Sequence, residues 1–295
     1  MGTGTSYVTR SARLLLIGPA TLALTITLSA CRGGVLDPQG IIGKAERVIL
    51  YDAMAIMLAV VIPVILLTLA FAWWFRASNR RARYLPEWDY SGRIEMITWS
   101  VPTLVIVFLG GMAWIGSHDL DPPRPIDSPV TPVDVEVVAL DWRWLFIYPT
   151  VGVASLNHLT IPAGVPIHFR ITSSSVMNSF FIPQLGSQIY AMPGMTTQLY
   201  LQADHPGTFQ GLSAQFSGDG FSDMRFDVAA VPQEAFDEWV RTTKSGSGVL
   251  DASAFAQLVQ PAKATGISTY GHVASGLFND VANGPMHMNA SDEGH

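Results

Sequence analysis

The chain has 295 residues, of which 49% are hydrophobic and only 14% are charged, and its mean hydropathy of +0.30 is high for a soluble protein. The net charge of −6 becomes −8 (−6 minus 2) if residues 1–30, which carry two arginines, are removed. This acidic balance excludes a nucleic-acid partner, because binding to nucleic acid requires a basic surface. The single cysteine excludes an internal disulfide and a metal site built on several thiolates.

Residues 1–30 have the order of a secretory signal peptide. Arg10 and Arg13 precede an apolar stretch over 14–28, and small residues then lead to Cys31. This ending matches the bacterial lipobox. There, a diacylglycerol is first attached to the cysteine sulfur, and the chain is then cleaved on the amino-terminal side of that cysteine. We therefore predict a lipoprotein signal peptide over 1–30 and a lipid anchor on Cys31. The alternative is an uncleaved signal anchor with an incidental cysteine.

Two runs without charged residues, about 53–75 and 96–117, are each long enough for a helix to cross a membrane. Segment 31–117 is thus predicted to hold the lipid anchor and two transmembrane helices. The connector between the helices carries Arg76, Arg80, Arg81, Arg83 and Arg93. Because basic loops remain in the cytoplasm, both ends of the hairpin are predicted to lie on the periplasmic side.

The remainder of the chain changes pattern several times. Residues 118–132 are rich in proline and predict an extended linker. Residues 133–231 begin with an alternating stretch and contain several short β-rich stretches typical of a β-sandwich or barrel, around 137–148, 158–172, 176–190, 195–203 and 224–231. Helical periodicity returns in 232–285, while 286–295 has the composition of a disordered tail. Pro232 is predicted to begin a first helix with Ala235, Phe236, Trp239 and Val240 on one face, and Asp251 to cap a second. The predicted fold class is membrane α plus all-β: a two-helix transmembrane hairpin, a β-sandwich or barrel, and short carboxy-terminal helices.

Three strings carry a resemblance to a known family. They are LDWRW at 140–144, SVMNSFFIP at 175–183 and LGSQIYAMPG at 185–194. Together with the lipobox and the two spans, they resemble subunit II of haem-copper oxidases, and most closely the quinol-oxidising, cytochrome bo-type branch. The resemblance implies a cupredoxin-like periplasmic domain in a bacterial inner-membrane oxidase. It also implies that subunit I holds the haems and copper, that further small membrane subunits assemble, and that the donor is quinol and not cytochrome c.

In the cytochrome c-oxidising branch, the same domain resembles a cup that holds two copper ions between two cysteines, two histidines, a glutamate backbone and a methionine. The corresponding positions in this sequence are Asn178, Ser213, Gln215, Ser217, Phe221 and Met224. Five of these six ligand positions have changed, and hydroxyl, amide and phenyl groups replace poorly the thiolates and imidazoles that copper prefers. We therefore predict no metal on this chain and assign Met224 to the core, the alternative being a lone weak ligand.

Three further residues are singled out by the resemblance. Trp142 and Trp144 resemble the aromatic patch through which electrons enter the copper-bearing relatives, although a structural role for both rings is favoured when no copper lies behind them. Glu95 begins the second span and resembles the glutamate that opens the K-type proton pathway. The alternative for Glu95 is an interfacial charge that extends to water or pairs with Arg93.

Two functions follow as expectations. The first is a non-catalytic subunit II of a proton-pumping quinol oxidase, which supports subunit I and its K-type proton entry and holds no redox centre of its own. The second is a membrane-tethered, cupredoxin-like binding or scaffold lipoprotein that works without an oxidase. Co-purification with a haem protein distinguishes them.

Overall fold

The computed structural model describes residues 34–83, 85–262 and 266–284. The predicted signal peptide at 1–30, the lipidation site Cys31 and the tail at 286–295 lie outside the described residues. Within the described residues, two long apolar helices precede a β-rich domain that ends in short helices, and the predicted fold class is confirmed.

The two long helices are α1 (Ile41–Trp74) and α2 (Gly92–Asp119). Both are long and apolar enough to cross a membrane, and neither buries its most apolar window against the rest of the protein. Each helix extends beyond the charge-free run that marks it in the sequence. The extension is largest at the start of α1, where the residues before the predicted span contact the β-rich domain.

The β-rich domain and its carboxy-terminal extension follow in chain order. The strands of the domain are β1 (Val133–Leu140), β2 (Arg143–Tyr148), β3 (Val153–Leu156), β4 (His158–Pro162), β5 (Ile167–Ser173), β6 (Asn178–Phe181), β7 (Ile189–Ala191), β8 (Thr197–Leu201), β9 (Gly207–Ser213) and β10 (Arg225–Val231). The extension holds α3 (Gln233–Ser245), β11 (Val249–Leu250), α4 (Ala252–Leu258), β12 (Ser268–Tyr270), β13 (His272–Val273) and α5 (Leu277–Asn283).

Two sheets face each other as a sandwich. The first has the strand order β12-β3-β2-β1-β5-β8 and the second β4-β10-β9-β6-β7, while β11 and β13 form a separate pair. Most neighbouring strands are antiparallel, but β1 pairs with β5, and β4 with β10, in parallel. The main core fills the space between the sheets, where the rings of Trp144, Phe146, Phe180 and Phe226 contact one another.

The central strands β1, β2 and β3 of the six-stranded sheet are buried on both faces. Along β2, the side chains of Trp144 and Phe146 point into the main core, whereas those of Leu145 and Ile147 point to the opposite face. There they form a second core with the buried apolar side chains of α4 and α5. Because successive side chains of a strand alternate between faces, a continuous apolar run such as that of β2 requires cover on both sides.

The carboxy-terminal helices begin where the sequence predicts. α3 follows Pro232 and buries Phe236 and Val240, although Ala235, assigned to the same face, is exposed. Asp251 caps α4 by accepting a hydrogen bond from the backbone N–H of Ala254 at 2.8 Å. These helices pack on the sandwich itself.

The start of α1 is joined to the sandwich by backbone hydrogen bonds. The N–H of Gln39 donates to the carbonyl of Gln184 at 2.7 Å, and the carbonyl of Gln39 accepts from the N–H of Asp204 at 2.9 Å. One turn further, the N–H of Gly43 donates to the carbonyl of Leu185 at 3.0 Å. Residues 39–43 therefore attach α1 to the sandwich at two of its loops, and we call them the joint.

The joint requires glycine at its tightest point. A Cβ atom on Gly40 would lie 2.2 Å from the carbonyl oxygen of Gln202, which is a severe steric clash. Beside it, the Lys44 ammonium lies 2.6 Å from the Asp204 carboxylate, and the Ser187 hydroxyl donates to the Glu46 carboxylate. A backbone contact this close makes the orientation of α1 depend on the sandwich.

Candidate functional site

The six positions predicted to replace copper ligands lie at one end of the five-stranded sheet. Asn178 begins β6, Ser213 ends β9, and the other four lie in the loop 214–224 that connects β9 to β10. β6 and β9 are antiparallel neighbours, so the start of one strand lies beside the end of the other. The structure thus brings Asn178 and Ser213 together although they are far apart in sequence.

Asn178 and Ser213 are buried and hydrogen-bonded to each other. The Asn178 amide nitrogen donates to the carbonyl of Val176 at 3.0 Å, and its Oδ1 lies 3.2 Å from Ser213 Oγ. The same hydroxyl lies 3.2 Å from the carbonyl of Gln215, so its single proton is shared between two acceptors. Both side chains therefore serve local structure, and Gln215 takes part in this network through its backbone.

Ser217 and Met224 form the second half of the site. The Ser217 hydroxyl lies 3.8 Å from Met224 Sδ, and the backbone N–H of Ser213 donates to the carbonyl of Met224 at 3.0 Å. Met224 is buried in the main core, as a core assignment requires. Phe221 lies in a short 3₁₀ turn, and its ring meets the exposed ring of Phe216 at 5.6 Å between centroids.

The donor atoms at the six positions do not fit a dinuclear copper centre. They comprise two amide oxygens, two amide nitrogens, two hydroxyl oxygens and one thioether, with neither thiolate nor imidazole among them. Bridging copper ions requires soft, charged sulfur ligands, and the hydroxyl groups here are already engaged by protein acceptors. Elsewhere in the described part of the chain, no three His, Cys, Asp or Glu side chains converge either.

Trp142, one of the two tryptophans assigned to the aromatic patch, packs directly against this site. It lies in the turn between β1 and β2 with φ of 67°, an unfavourable value for a bulky side chain. Its indole Nε1 donates to the carbonyl of Ser217 at 3.0 Å. A Cβ on Gly220 would lie 2.3 Å from the ring, so the loop covers the indole closely at this glycine. In the sequence, the glycines at 218 and 220 are the features that could have indicated such a close approach of the loop to a ring.

Trp144 lies inside the main core and not at the candidate site. Its side chain is fully buried, and its ring packs at 5.4 Å from Phe180 and 5.6 Å from Phe226 between centroids. Although only one residue separates the two tryptophans, Trp144 points into the sandwich, whereas Trp142 packs under the loop. The two rings thus do not form one exposed patch.

Glu95 lies far along the chain from this site, in the first turn of α2. Its side chain is exposed, and its backbone N–H donates to the carbonyl of Ser91 at 3.0 Å. Among the described residues, Glu95 forms no ion pair with Arg93. A carboxylate in the first turn of a helix interacts favourably with the helix dipole, and its exposure leaves it open to a partner.

Comparisons with known proteins agree with this architecture. The family model described as the periplasmic domain of cytochrome c oxidase subunit II matches residues 137–231, and the model of the COX aromatic rich motif matches residues 244–289. A ubiquinol oxidase subunit 2 of Acetobacter aceti is 48% identical over 262 residues, which cover 88% of this chain and 85% of the relative.

Two more similarities span different lengths. A cytochrome bo(3) ubiquinol oxidase subunit 2 of Pseudomonas aeruginosa is 46% identical over 261 residues, covering 88% of this chain and 79% of the relative. The crystal structure of the periplasmic domain of subunit II of cytochrome oxidase (CoxB) of Bradyrhizobium japonicum aligns with 40% of this chain and 96% of that domain at 23% identity, with a TM-score of 0.38. On the strength of the full-length relatives, this chain belongs to the subunit II family of cytochrome bo-type ubiquinol oxidases.

Proposed function

We propose that the chain is the non-catalytic subunit II of a proton-pumping quinol oxidase and that it binds no dinuclear copper. The observation that carries the proposal is the network of Asn178, Ser213, Ser217 and Met224, in which protein acceptors engage the groups at the former ligand positions. The haems and the copper of oxygen reduction then belong to subunit I, its main partner, and further small membrane subunits complete the complex.

The absence of suitable copper ligands bears on which molecule supplies the electrons. A cytochrome is a soluble protein that arrives at the periplasmic face, and it needs a metal relay there to reach a buried haem. A quinol is dissolved in the bilayer and delivers electrons directly to a membrane-embedded haem. A sandwich without copper ligands therefore favours quinol, in agreement with the names of the relatives.

The test is purification of the affinity-tagged full chain in mild detergent, followed by a visible spectrum, copper analysis and electron paramagnetic resonance. We expect haem absorption without a dinuclear copper signal, and oxygen uptake that ubiquinol drives and reduced cytochrome c does not. A dinuclear copper signal, or turnover with cytochrome c, would refute the proposal. A tagged chain that purifies alone and without haem would instead establish the scaffold lipoprotein.

Glu95 is proposed as the entry of a K-type proton path into subunit I. The exposed carboxylate at the start of α2 can exchange protons with cytoplasmic water and pass them to a polar neighbour. In the assembled oxidase, Glu95→Gln should lower turnover and proton uptake by roughly tenfold or more. Glu87→Gln, which changes another exposed glutamate of the same connector, is the control. Equal turnover in both variants would refute the role.

The lipid anchor and the orientation complete the proposal. Cys31 carries a diacylglycerol after cleavage of residues 1–30, and both the amino terminus and the sandwich lie on the periplasmic side of the inner membrane. The arginines between the two helices support this orientation. The mass of the mature amino-terminal peptide tests the anchor, and protease access in spheroplasts tests the orientation. An unmodified peptide, or digestion from the cytoplasmic side only, would contradict the respective claim.

A further inference from the structure

The first described residues run back along the side of α1. A turn is closed where the N–H of Asp37 donates to the carbonyl of Gly34 at 2.9 Å, and Pro38 packs against Gly43. The Arg47 guanidinium then lies 3.5 Å from the carbonyl oxygen of Leu36. α1 contacts the sandwich as far as Glu46 and then continues to the predicted span. Because Arg47 directly follows the last of these contacts, its hydrogen bond to Leu36 places residues 34–36 on the membrane side of the joint.

The height of this turn agrees with the headgroup layer. Arg47 precedes the predicted span at residue 53 by six positions, which is about 9 Å along a helix axis. The polar layer on each side of a bilayer is about 7 Å thick, half the difference between the total thickness and the hydrocarbon core. At about 9 Å from the span, Arg47 lies just beyond this layer, so the neighbouring residues 34–36 lie at the outer edge of the lipid headgroups.

The side chains at this height are suited to lipid. Val35 and Leu36 are exposed, and so is Val48 on the following turn of α1. Isolated exposed apolar residues are common on protein surfaces, but these are followed along α1 by exposed Leu50 and Tyr51 and then by the exposed apolar residues of the predicted span. Covering them with acyl and glycerol groups removes apolar surface from water.

The charge at this height is suited to phosphate. Arg47 takes part in no ion pair within the described residues, and the bond to the Leu36 carbonyl is its one hydrogen bond there. The neighbouring Lys44, by contrast, is paired with Asp204. A guanidinium group with free donors is well matched to a phosphate group in geometry and charge.

We propose that residues 34–36 and Arg47 form a foot that rests on the outer surface of the bilayer, with Val35 and Leu36 among phospholipid headgroups and Arg47 on a lipid phosphate. The occupant is phospholipid and not a protein subunit. The foot adds to the anchor proposed at Cys31 and does not depend on it. Cys31 is three positions from Gly34, a reach of at most about 11 Å for an extended chain.

The test measures contact between position 36 and lipid in the whole oxidase. Dansylalanine replaces Leu36 by nonsense suppression, and the complex is reconstituted into nanodiscs made with phosphatidylcholine brominated near the glycerol end of its acyl chains. Val176, in the loop between β5 and β6, is the matched control, because both side chains are 47% exposed. We expect quenching at position 36 about twofold or more stronger than at position 176.

Arg47→Gln provides a second measurement in the same preparation. With the native arginine, quenching at position 36 should increase when brominated phosphatidylglycerol replaces phosphatidylcholine, and Arg47→Gln should abolish that increase. Equal quenching at positions 36 and 176 would overturn the foot, as would an increase that persists in Arg47→Gln. Lipidation of Cys31 is read separately from the peptide mass, so failure of the anchor and failure of the foot are distinguishable.

Discussion

The helical hairpin and the β-sandwich treat large apolar side chains in opposite ways. In the sandwich, Trp144 and Phe180 are fully buried and touch one another, and both faces of the central strands β1, β2 and β3 are covered. In the hairpin, Trp99 is 71% exposed and Ile106 is 72% exposed. The sandwich completes its core from its own residues, whereas the hairpin leaves its apolar surface for lipid and other protein.

This difference teaches where each part obtains its stability. Burial of apolar surface within the sandwich stabilises it in water, so its unfolding depends on its own packing. The hairpin gains little from its own contacts in water and relies on the bilayer, where its backbone hydrogen bonds are satisfied internally. The joint at residues 39–43 is the place where the two regimes meet. Four substitutions test this contrast.

The largest effect is expected for a matched pair of tryptophans. Trp144→Ala should lower the free energy of unfolding of the sandwich by about 3–5 kcal/mol, because it leaves a cavity in the main core. Trp99→Ala, in the exposed hairpin, should change it by less than about 0.5 kcal/mol. Guanidinium titration of the full chain in detergent, followed by near-ultraviolet circular dichroism, measures both. Similar losses in the two variants would show that the regions are not independent.

The next effect is expected at the joint. Gly40→Ala places a Cβ against the Gln202 carbonyl, and the required backbone shift should cost about 1–3 kcal/mol. Gly34→Ala is the control, since its Cβ would meet nothing within 4 Å. Two measurements report the change: the rate of limited proteolysis on the carboxy-terminal side of residue 34, and the free energy of unfolding from denaturant titration in detergent. If Gly40→Ala is cleaved and unfolds as the control does, the joint does not hold α1.

A smaller loss of stability is expected at Arg143, which links β2 to the segment after α4. Arg143 donates to the carbonyls of Leu258 and Gln260, at 2.5 and 2.9 Å, just after α4, so Arg143→Met should cost about 1–2 kcal/mol. Amide exchange in residues 252–260 should accelerate while β6 and β9 remain protected. Arg225→Met, which removes an exposed arginine, is the control. Uniform acceleration through both sheets would contradict a separate second core.

The smallest effect concerns pH. Burial lowers the pKa of His158 below 6.5, and the nearby Asp227 carboxylate opposes this only in part. The unfolded chain therefore takes up a proton near pH 6.5 that the folded chain takes up only at lower pH. Because the unfolded state binds this proton more readily, His158 lowers the free energy of unfolding as the pH drops below about 6.5. His158→Gln should flatten this fall between about pH 7 and 5 in denaturant titrations. An unchanged pH profile would show that His158 titrates alike in both states.

The sequence predicted some parts of this protein well, because local patterns carry them. The charge-free runs located both long helices, Pro232 and Asp251 marked the starts of α3 and α4, and the β-rich stretches covered much of β1, β5 and β10. The strands β3 and β9 were not predicted as separate elements. β9 carries two glycines and polar residues, and one of those glycines lies against the ring of Phe226. Contacts with distant strands decide such segments.

The candidate site divides in the same way. The resemblance supplied the six ligand positions, and the residue types there were enough to predict that thiolates and imidazoles are missing from them. They did not reveal that Trp142 packs under Gly220, at the margin of the main core, or that Trp144 is fully buried inside that core. Nor did they reveal that the start of α1 is bonded to the sandwich.

By itself, the sequence determined which segments are apolar enough for a membrane and which are β-rich, since composition and short-range periodicity carry that information. The resemblance to the copper-bearing relatives added the prediction that the copper ligands are replaced. Only the tertiary structure decided the partners: Asn178 with Ser213, Trp142 with the loop, and Gln39 with Gln184 and Asp204. The physical reason is that these contacts join residues far apart in the chain, and their geometry exists only after the two sheets have packed.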